Sequence, residues 1–300
     1  MIEDSVIIGA GPAGLSAALQ LMRHGISPLV LEAESPGGLL RNAGIVENYP
    51  GFPESIPGPT LADRFVRQAL AAGLSIVKKK VDVLRRENKL FQITTEGNVL
   101  FSRTVIIASG TKPKQLTGIE VNDAAKKKIF YEIKSLLHNE GRHFVIVGAG
   151  DAAFDYALNL SRKNMVTILN RSSVVKSLPL LQKRAVAAGI TYYPNTSIRE
   201  ISGAADGQVR IKCADLGKPI ALKAHYVVGA IGRDPQTDFI PHSVLDRLGD
   251  LQKRGLLRMA GDVKNGMFRQ TAIAVGDGIL AGMLTYRTLQ AVREKHEDHC

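Results

Sequence analysis

Cysteine and tryptophan are nearly missing from this 300-residue chain, which has two cysteines and no tryptophan. Cys213 and Cys300 lie far apart, so the sequence holds no C-x-x-C redox pair, and we expect neither a disulfide scaffold nor a cysteine metal cluster. The 7 histidines do not show the H-x-x-x-H spacing or a similar ligand pattern. We therefore predict a protein without a metal site.

Long apolar runs are also missing, since none approaches the roughly 18 residues of a membrane span. The acidic N-terminus, Met1–Asp4, leads directly into an apolar strand pattern, which is unlike a signal peptide. We expect a cytoplasmic protein that binds no membrane.

Charge is unbalanced, with a formal net charge of +11. This charge is typical either of a generally basic surface or of a surface that steers an acidic partner or a dinucleotide phosphate. Basic motifs interleaved with aromatic residues are missing, so we expect no nucleic-acid partner.

The first informative segment covers residues 6–21, VIIGAGPAGLSAALQL. A buried β-branched strand ends at Gly9 and helical spacing begins after Gly11, so Gly9, Gly11 and Gly14 form a G-x-G-x-x-G turn. Free N–H groups at the start of such a helix attract a pyrophosphate. The next strand ends in Glu32, at the position where an acid accepts hydrogen bonds from a ribose. This pattern predicts a dinucleotide site that suits the ADP half of FAD.

The pattern repeats at residues 143–161, HFVIVGAGDAAFDYALNLS, with Gly148, Gly150 and Ala153 at the three positions. Here the following strand ends in Asn170, with Arg171 next to it and Lys176 close behind. A 2′-phosphate is repelled by a carboxylate and attracted by cations, so this site favours NADPH. The alternative is a site for NADH beside two surface cations. Two such sites in one chain predict electron transfer between two dinucleotides.

The two turns and the segments around them resemble the thioredoxin reductase family of flavoproteins over nearly the whole chain. The resemblance rests on residues 37–40 (GGLL), 46–53 (VENYPGFP), 105–110 (VIIASG), 227–235 (VVGAIGRDP), 261–263 (GDV) and 267–272 (MFRQTA). It implies an α/β fold of two Rossmann-like, three-layer dinucleotide-binding domains, each a sheet with helices on both faces. The nicotinamide domain (113–236) would be inserted into a discontinuous FAD domain (1–112 and 237–300), and family members are usually homodimers.

Turns and resemblance together predict the cofactor-binding residues. For FAD they are Gly9, Gly11, Pro12, Ala13, Gly14, Glu32, Gly38, Leu39, Asn48, Ala108, Gly110, Asp262, Arg269, Gln270 and Thr271. For NADPH they are Gly148, Gly150, Asp151, Ala152, Ala153, Asn170, Arg171, Lys176, Ile231 and Gly232. The resemblance implies that Asp262 holds the ribityl chain and that the helix start after Arg269 faces the flavin. Arg269 itself either contacts the flavin or stabilises the helix start.

The sequence departs from thioredoxin reductases at their C-x-x-C pair. Counting back from Gly148, the two cysteine positions hold Tyr131 and Lys134, and neither side chain supplies a thiol for disulfide exchange. Asn48 and Tyr131 are candidates for flavin neighbours, although Tyr131 also suits a packed aromatic. Asp155 is expected to be an exposed helical residue. Hydride passes directly from nicotinamide to flavin, so no acid–base pair is required.

A cysteine-free branch of the same family is the thioredoxin reductase-type ferredoxin–NADP reductases, and residues 151–158, DAAFDYAL, resemble its D-S-A-L-D-W-A-L run. This resemblance predicts that NADPH reduces FAD and that ferredoxin or flavodoxin then accepts the electrons. A basic protein suits such acidic acceptors. However, the chain lacks that branch's C-terminal aromatic extension. The alternatives are a reductase of a quinone, oxygen or another small acceptor, and a catalytically silent flavin sensor or partner-dependent subunit.

Overall fold

The computed structural model describes residues 2–297, apart from the side chains of residues 292, 293 and 295–297. Twenty strands occur in this part of the chain: β1 Ile2–Ile8, β2 Leu29–Glu32, β3 Ile45–Val46, β4 Ile56–Pro57, β5 Ile76–Lys78, β6 Val81–Glu87, β7 Leu90–Thr95, β8 Asn98–Ile107, β9 Thr111–Pro113, β10 Glu120–Val121, β11 Ile129–Phe130, β12 His143–Val147, β13 Met165–Leu169, β14 Thr191–Tyr193, β15 Thr196–Gly203, β16 Val209–Asp215, β17 Lys218–Ala224, β18 Tyr226–Gly229, β19 Arg233–Pro235 and β20 Leu257–Met259.

Eight α-helices accompany the strands within residues 2–297: α1 Pro12–Arg23, α2 Gly58–Ala71, α3 Asp123–Lys126, α4 Asp151–Ser161, α5 Pro179–Ala187, α6 His242–Leu245, α7 Leu248–Lys253 and α8 Thr271–Glu297. Helix α1 begins where the sequence predicts it, because Gly11 is extended and Pro12 has its φ fixed for the first helical position. Short 3-10 helices cover Gly38–Asn42, Lys134–Leu136 and Gly261–Val263.

The chain divides into two compact units. Unit 1 comprises Met1–Arg41, Ile45–Lys112 and Asp234–Cys300, and unit 2 comprises Asn42–Gly44 and Pro113–Arg233. Cys300, one of the two cysteines, lies outside the described residues, and Cys213 is a buried free thiol in β16.

Unit 1 is built on a sheet with strand order β5-β2-β1-β8-β7-β6, and β20 also pairs with β8. Strands β5, β2, β1, β8 and β20 are parallel where they pair, whereas β6, β7 and β8 form an antiparallel meander. Alternate residues of each parallel strand fill opposite faces, so Ile7 packs with α1 and α8 while Val6 and Ile8 pack with β6 and β7. Both faces are therefore buried, as a parallel sheet requires.

Unit 2 is built on a five-stranded parallel sheet with strand order β11-β18-β12-β13-β14. Helices α4 and α5 cover one face around Phe144 and Ile146. The other face, which includes Val145, packs on a second sheet of order β10-β15-β16-β17. The predicted α/β three-layer fold is confirmed, but helices on both faces were wrongly expected here. The second outer layer is a sheet because β15, β16 and β17 pair as a long antiparallel meander.

Among residues 2–297, no helix is both long and apolar enough to cross a membrane. That same part of the chain contains no group of three or more His, Cys, Asp or Glu side chains that could hold a metal ion.

Candidate dinucleotide sites

The first glycine turn, between β1 and α1, is held by three backbone hydrogen bonds. Gly9 N donates to Leu31 O at 2.8 Å and Ala108 N donates to Ile8 O at 2.8 Å, while Gly37 N donates to Ala10 O at 2.8 Å. Gly9 has φ +105°, and a Cβ there would lie 2.4 Å from the Ala108 carbonyl oxygen. The turn and its neighbouring strands therefore require glycine at this position.

The other two glycines of this turn differ from each other. A Cβ on Gly14 would lie 1.9 Å from Gly9 O, so Gly14 lets α1 pack directly on the turn. Gly11 has an ordinary φ of −74°, and a Cβ there would meet nothing within 4 Å. Since the protein itself does not require glycine at Gly11, the open space fits the close approach of a pyrophosphate.

Glu32, at the end of β2, turns its carboxylate back toward this turn. Its Oε2 accepts a hydrogen bond from Ala10 N at 2.7 Å, and its Oε1 accepts one from Glu34 N at 2.9 Å. Beside it lies an open groove of ≈ 240 Å³, lined on its apolar side by Pro36, Val66 and Ile76. An anchored acid next to an apolar groove suits a ribose with its attached base.

Two further predicted FAD segments lie against the same turn, although they are distant in sequence. A Cβ on Gly38 would lie 3.1 Å from Gly11 Cα, which places the 3-10 helix that contains Leu39 beside the turn. A Cβ on Gly261 would lie 2.8 Å from Ala13 Cβ, which places the short helix that contains Asp262 against the first turn of α1.

The start of α8 is joined to the loop after β3. Asn48 Nδ2 donates a hydrogen bond to Gln270 Oε1 at 2.8 Å, directly before the first residue of α8, Thr271. Arg269 is half-buried in the same segment. Gly110, with φ +66°, follows Ala108, and its carbonyl accepts from Gln236 N at 3.0 Å. The fold therefore brings together the segments of unit 1 that were predicted to bind FAD.

The second glycine turn, between β12 and α4, repeats the geometry of the first. Gly148 N donates to Leu169 O at 2.9 Å, and Ala230 N donates to Val147 O at 2.8 Å. Gly148 has φ +133°, and a Cβ there would lie 2.3 Å from Ala230 O. A Cβ on Gly150 would meet nothing within 4 Å, so this glycine too leaves room for a phosphate. Asp151 and Ala152 are exposed in the first turn of α4, while Ala153 is buried.

The loop after β13 carries the predicted 2′-phosphate residues. Asn170 is buried, and its Nδ2 donates to Val174 O and to Tyr192 Oη, both at 2.9 Å. Its amide therefore shapes the loop, whereas Arg171 and Lys176 are both exposed and available to a phosphate. Lys176 N donates to Ala149 O at 2.9 Å, which ties this loop to the glycine turn.

The loop also meets the turn at Asp151, whose Oδ1 accepts from Leu178 N at 2.8 Å. Ile231 and Gly232 follow β18 and are exposed, and Ile231 comes directly after the Ala230 carbonyl that faces Gly148. All the predicted nicotinamide-site residues therefore lie at the carboxyl edge of the parallel sheet of unit 2, which is where α/β sheets bind ligands.

Tyr131, at the first of the two positions where the family resemblance places a cysteine, packs within unit 2. Its hydroxyl accepts a hydrogen bond from Leu116 N at 3.0 Å, and a Cβ on Gly229 would lie 2.7 Å from its ring. This geometry supports a packing role for Tyr131. The other position, Lys134, begins a short 3-10 helix.

The expectation that Asp155 is an exposed helical residue is wrong. Its two carboxylate oxygens accept from Gly44 N at 3.3 Å and 3.0 Å, and Gly44 belongs to unit 2 by its contacts. Burial raises the pKa of Asp155, and the hydrogen bond from Gly44 and the charge of Arg162 offset part of that rise. The neighbouring Asn42 is buried and accepts from Ile133 N and Lys134 N at 3.2 Å and 3.0 Å.

These two sites define the class of protein, an α/β protein with two Rossmann-type dinucleotide sites. The family model of the pyridine nucleotide-disulphide oxidoreductases matches residues 3–255. The thioredoxin reductase of Mycolicibacterium smegmatis is 31% identical over 310 residues, covering 96% of this chain and 97% of the relative. The chain belongs to the pyridine nucleotide-disulphide oxidoreductase family.

Solved structures agree with this assignment. The thioredoxin reductase of Lactococcus lactis has a TM-score of 0.85 at 27% identity, covering 96% of this chain and 99% of that one. The thioredoxin reductase of T. acidophilum has a TM-score of 0.83 at 29% identity, covering 95% and 98%. The chain is therefore a thioredoxin reductase-like, FAD-dependent oxidoreductase, and the predicted cofactors of this family, FAD and NADPH, are confirmed.

Proposed function

We propose that this protein is an FAD-dependent NADPH oxidoreductase without a redox dithiol, which passes hydride from NADPH to FAD and then electrons to an acceptor other than thioredoxin. The observation that carries this proposal is the open space beside the second glycine of each turn, Gly11 in unit 1 and Gly150 in unit 2. A Cβ on Gly11 or on Gly150 would meet nothing within 4 Å, so both helix starts leave room for the close approach of a pyrophosphate.

In this proposal unit 1 is the FAD domain and unit 2 is the nicotinamide domain. Bound FAD supplies the chemistry, because it accepts hydride from NADPH. Glu32 would orient the adenosine end, the N–H groups at the start of α1 would hold the phosphates, and those at the start of α8 would stabilise charge on the ring. Arg171 and Lys176 bind the 2′-phosphate, so NADPH is preferred to NADH.

The absence of a usable dithiol supports an acceptor other than thioredoxin. Tyr131 and Lys134 stand where the relatives' cysteines are expected, and Cys213 is buried in β16, where burial raises its thiol pKa to about 11. A thiol that stays protonated is a poor nucleophile for disulfide exchange.

Charge favours an acidic protein acceptor, and we propose ferredoxin or flavodoxin. Unit 2 has 18 Lys and Arg residues against 9 Asp and Glu, a formal net charge of +9, whereas unit 1 has 21 against 19, which gives +2. Most of the chain's net positive charge therefore belongs to unit 2, and complementary fields of this kind raise the rate of encounter with an acidic partner.

The acceptor is tested by steady-state oxidation of NADPH with ferredoxin, flavodoxin, thioredoxin or a soluble quinone, each at low and at high salt. We expect turnover with ferredoxin or flavodoxin that falls as salt is added, because exposed charges are screened. Thioredoxin should give no turnover above the background. Quinone turnover that is faster than ferredoxin turnover and insensitive to salt would contradict an acidic protein acceptor.

We also propose a homodimer formed through α8. The helix exposes a stripe of apolar side chains, Ile273, Ile279, Leu280 and Met283, which are 39–53% exposed. Their spacing places them on one side of the helix, and a second copy would remove them from water. Light scattering after gel filtration should give twice the chain mass, and Leu280→Glu should give the monomer mass. A monomeric wild type would overturn the dimer.

A further inference from the structure

Asp277, in the second turn of α8, belongs to neither glycine turn and to none of the predicted FAD segments, yet its carboxylate makes three contacts. Its Oδ2 accepts from Gly261 N at 3.1 Å and from Asn265 Nδ2 at 2.6 Å. Its Oδ1 pairs with Lys264 Nζ at 2.9 Å, and the Asp277 side chain is only 15% exposed. All three donors belong to the segment around Asp262.

The contacts of Asp277 hold this segment at both ends. Gly261 begins the short helix Gly261–Val263, and Lys264 and Asn265 follow it directly. On its other side the segment meets α1, because a Cβ on Gly261 would lie 2.8 Å from Ala13 Cβ. The turn is thus fixed between the first helix of unit 1 and one carboxylate.

The charge of Asp277 strengthens these contacts. Burial alone would raise its pKa, but hydrogen bonds from Lys264, Asn265 and Gly261 hold that pKa below its usual value. The carboxylate is therefore ionised at neutral pH, and hydrogen bonds to an ionised acceptor are roughly twice as strong as neutral ones.

We propose that Asp277 is a positioning residue for FAD: it fixes the Gly261–Val263 turn against α1 so that Asp262 meets the ribityl chain. The proposal rests on the FAD site proposed above. The ADP half is held by Gly9–Gly14 and Glu32, which Asp277 does not contact in the described structure, so only binding of the flavin half should depend on Asp277.

The test compares two affinities of the FAD-free protein. FAD binding is followed by quenching of flavin fluorescence, and ADP binding is followed by its competition with FAD. Asp277→Asn should raise the Kd for FAD by about tenfold or more, because charge-assisted contacts are lost. The Kd for ADP should change by less than about twofold. Asp250→Asn is the matched control, since Asp250 also belongs to unit 1 and pairs with Arg254 at 3.5 Å, but on the surface.

Equal FAD affinity of wild type and Asp277→Asn would overturn the proposal, and so would an equal loss of FAD and ADP affinity. Should Asp277→Asn fail to fold, Asn265→Ala removes one anchor and keeps the carboxylate, and it should weaken FAD but not ADP. An Asn265→Ala protein with both affinities unchanged would overturn the proposal as well. A wild-type chain that binds ADP but no FAD refutes the proposed function instead.

Discussion

The two glycine turns of this molecule are built alike, and the proposed function assigns their few differences to two different cofactors. In each turn the first glycine donates to a leucine carbonyl of the next strand, Leu31 in unit 1 and Leu169 in unit 2. The middle alanine of each turn accepts a backbone hydrogen bond from the loop after that strand, at 2.8 Å for Ala10 and 2.9 Å for Ala149.

The turns differ in how closely the helix approaches and in what ends the second strand. Gly14 lets α1 pack on Gly9 O, whereas Ala153 occupies the same position in α4. The Glu32 carboxylate points toward its glycine turn. The Asn170 amide instead bonds within its own loop, and the next residue, Arg171, is exposed to solvent. In the proposed function, the shared scaffold binds a pyrophosphate in both units, and the strand end selects a free ribose or a phosphorylated one.

The first and the second glycine of each turn are glycine for different reasons. Gly9 and Gly148 have positive φ and no room for a Cβ, so the protein requires them. Gly11 and Gly150 face open space, so no protein contact requires glycine there, and the proposed function assigns this space to a pyrophosphate.

The largest expected effect comes from Gly9→Ala and Gly148→Ala. Each adds a strained φ and a carbonyl clash, which we expect to cost about 3 kcal/mol or more of unfolding free energy. Gly9→Ala should purify without FAD, whereas Gly148→Ala should remain yellow and lose reduction by NADPH. Absorbance spectra and thermal melts measure both effects. If Gly148→Ala lost its bound FAD while Gly9→Ala kept it, the assignment of FAD to unit 1 and of NADPH to unit 2 would be wrong.

Gly11→Ala and Gly150→Ala sharpen the comparison with a smaller effect. Neither Cβ meets protein atoms, so the melting temperature of each FAD-free variant should equal that of the wild type. We expect Gly11→Ala to weaken FAD by about tenfold and Gly150→Ala to raise only the KM for NADPH, also by about tenfold, since a Cβ would push the pyrophosphate away. Titration of FAD and steady-state kinetics measure these values. Wild-type affinities in both variants would remove the observation on which the proposed function rests.

Arg171→Ala tests the difference at the strand ends. Loss of a cation beside the 2′-phosphate should raise the KM for NADPH by about tenfold and leave the KM for NADH nearly unchanged. Arg199→Ala, which removes another exposed arginine of unit 2, is the control. Equal changes for both nucleotides would mean that Arg171 does not recognise the phosphate.

The smallest effect is expected at Asp155, on the helix that follows the second turn. Because the pKa of Asp155 is raised in the folded state, its charge opposes folding above the unfolded pKa, and stability falls as the pH rises toward the folded pKa. Asp155→Asn keeps an acceptor for Gly44 N and removes the charge. Its melting temperature should match or slightly exceed that of wild type at pH 7 and approach it at pH 4. A lower melting temperature at pH 7 would show that the charge of Asp155 is needed.

Local features were predictable because their causes are local. Strand β1, helix α1 and the strand end at Glu32 lie where the glycine spacing and the apolar pattern place them. The same holds for β12, α4 and β13 around the second turn.

Features that depend on distant segments were not predictable from the pattern. Val209–Cys213 alternates like a strand, but its pairing with β15 and β17 creates an outer sheet that no local signal indicates. From the sequence pattern alone, Asp155 and Asp277 both resemble ordinary polar residues of a helix. Asp155 is covered by Gly44, which lies 111 residues away in sequence, and Asp277 is covered by Gly261, which lies 16 residues away.

Hydride transfer between the two dinucleotides is the central claim, and anaerobic stopped-flow absorbance of the FAD-loaded protein tests it most directly. The protein is mixed with NADPH and, separately, with NADH at the same concentration, and the flavin band is followed. We predict rapid bleaching by NADPH and bleaching that is at least about tenfold slower with NADH, because Arg171 and Lys176 favour the 2′-phosphate. An unchanged flavin band with both nucleotides would contradict the account.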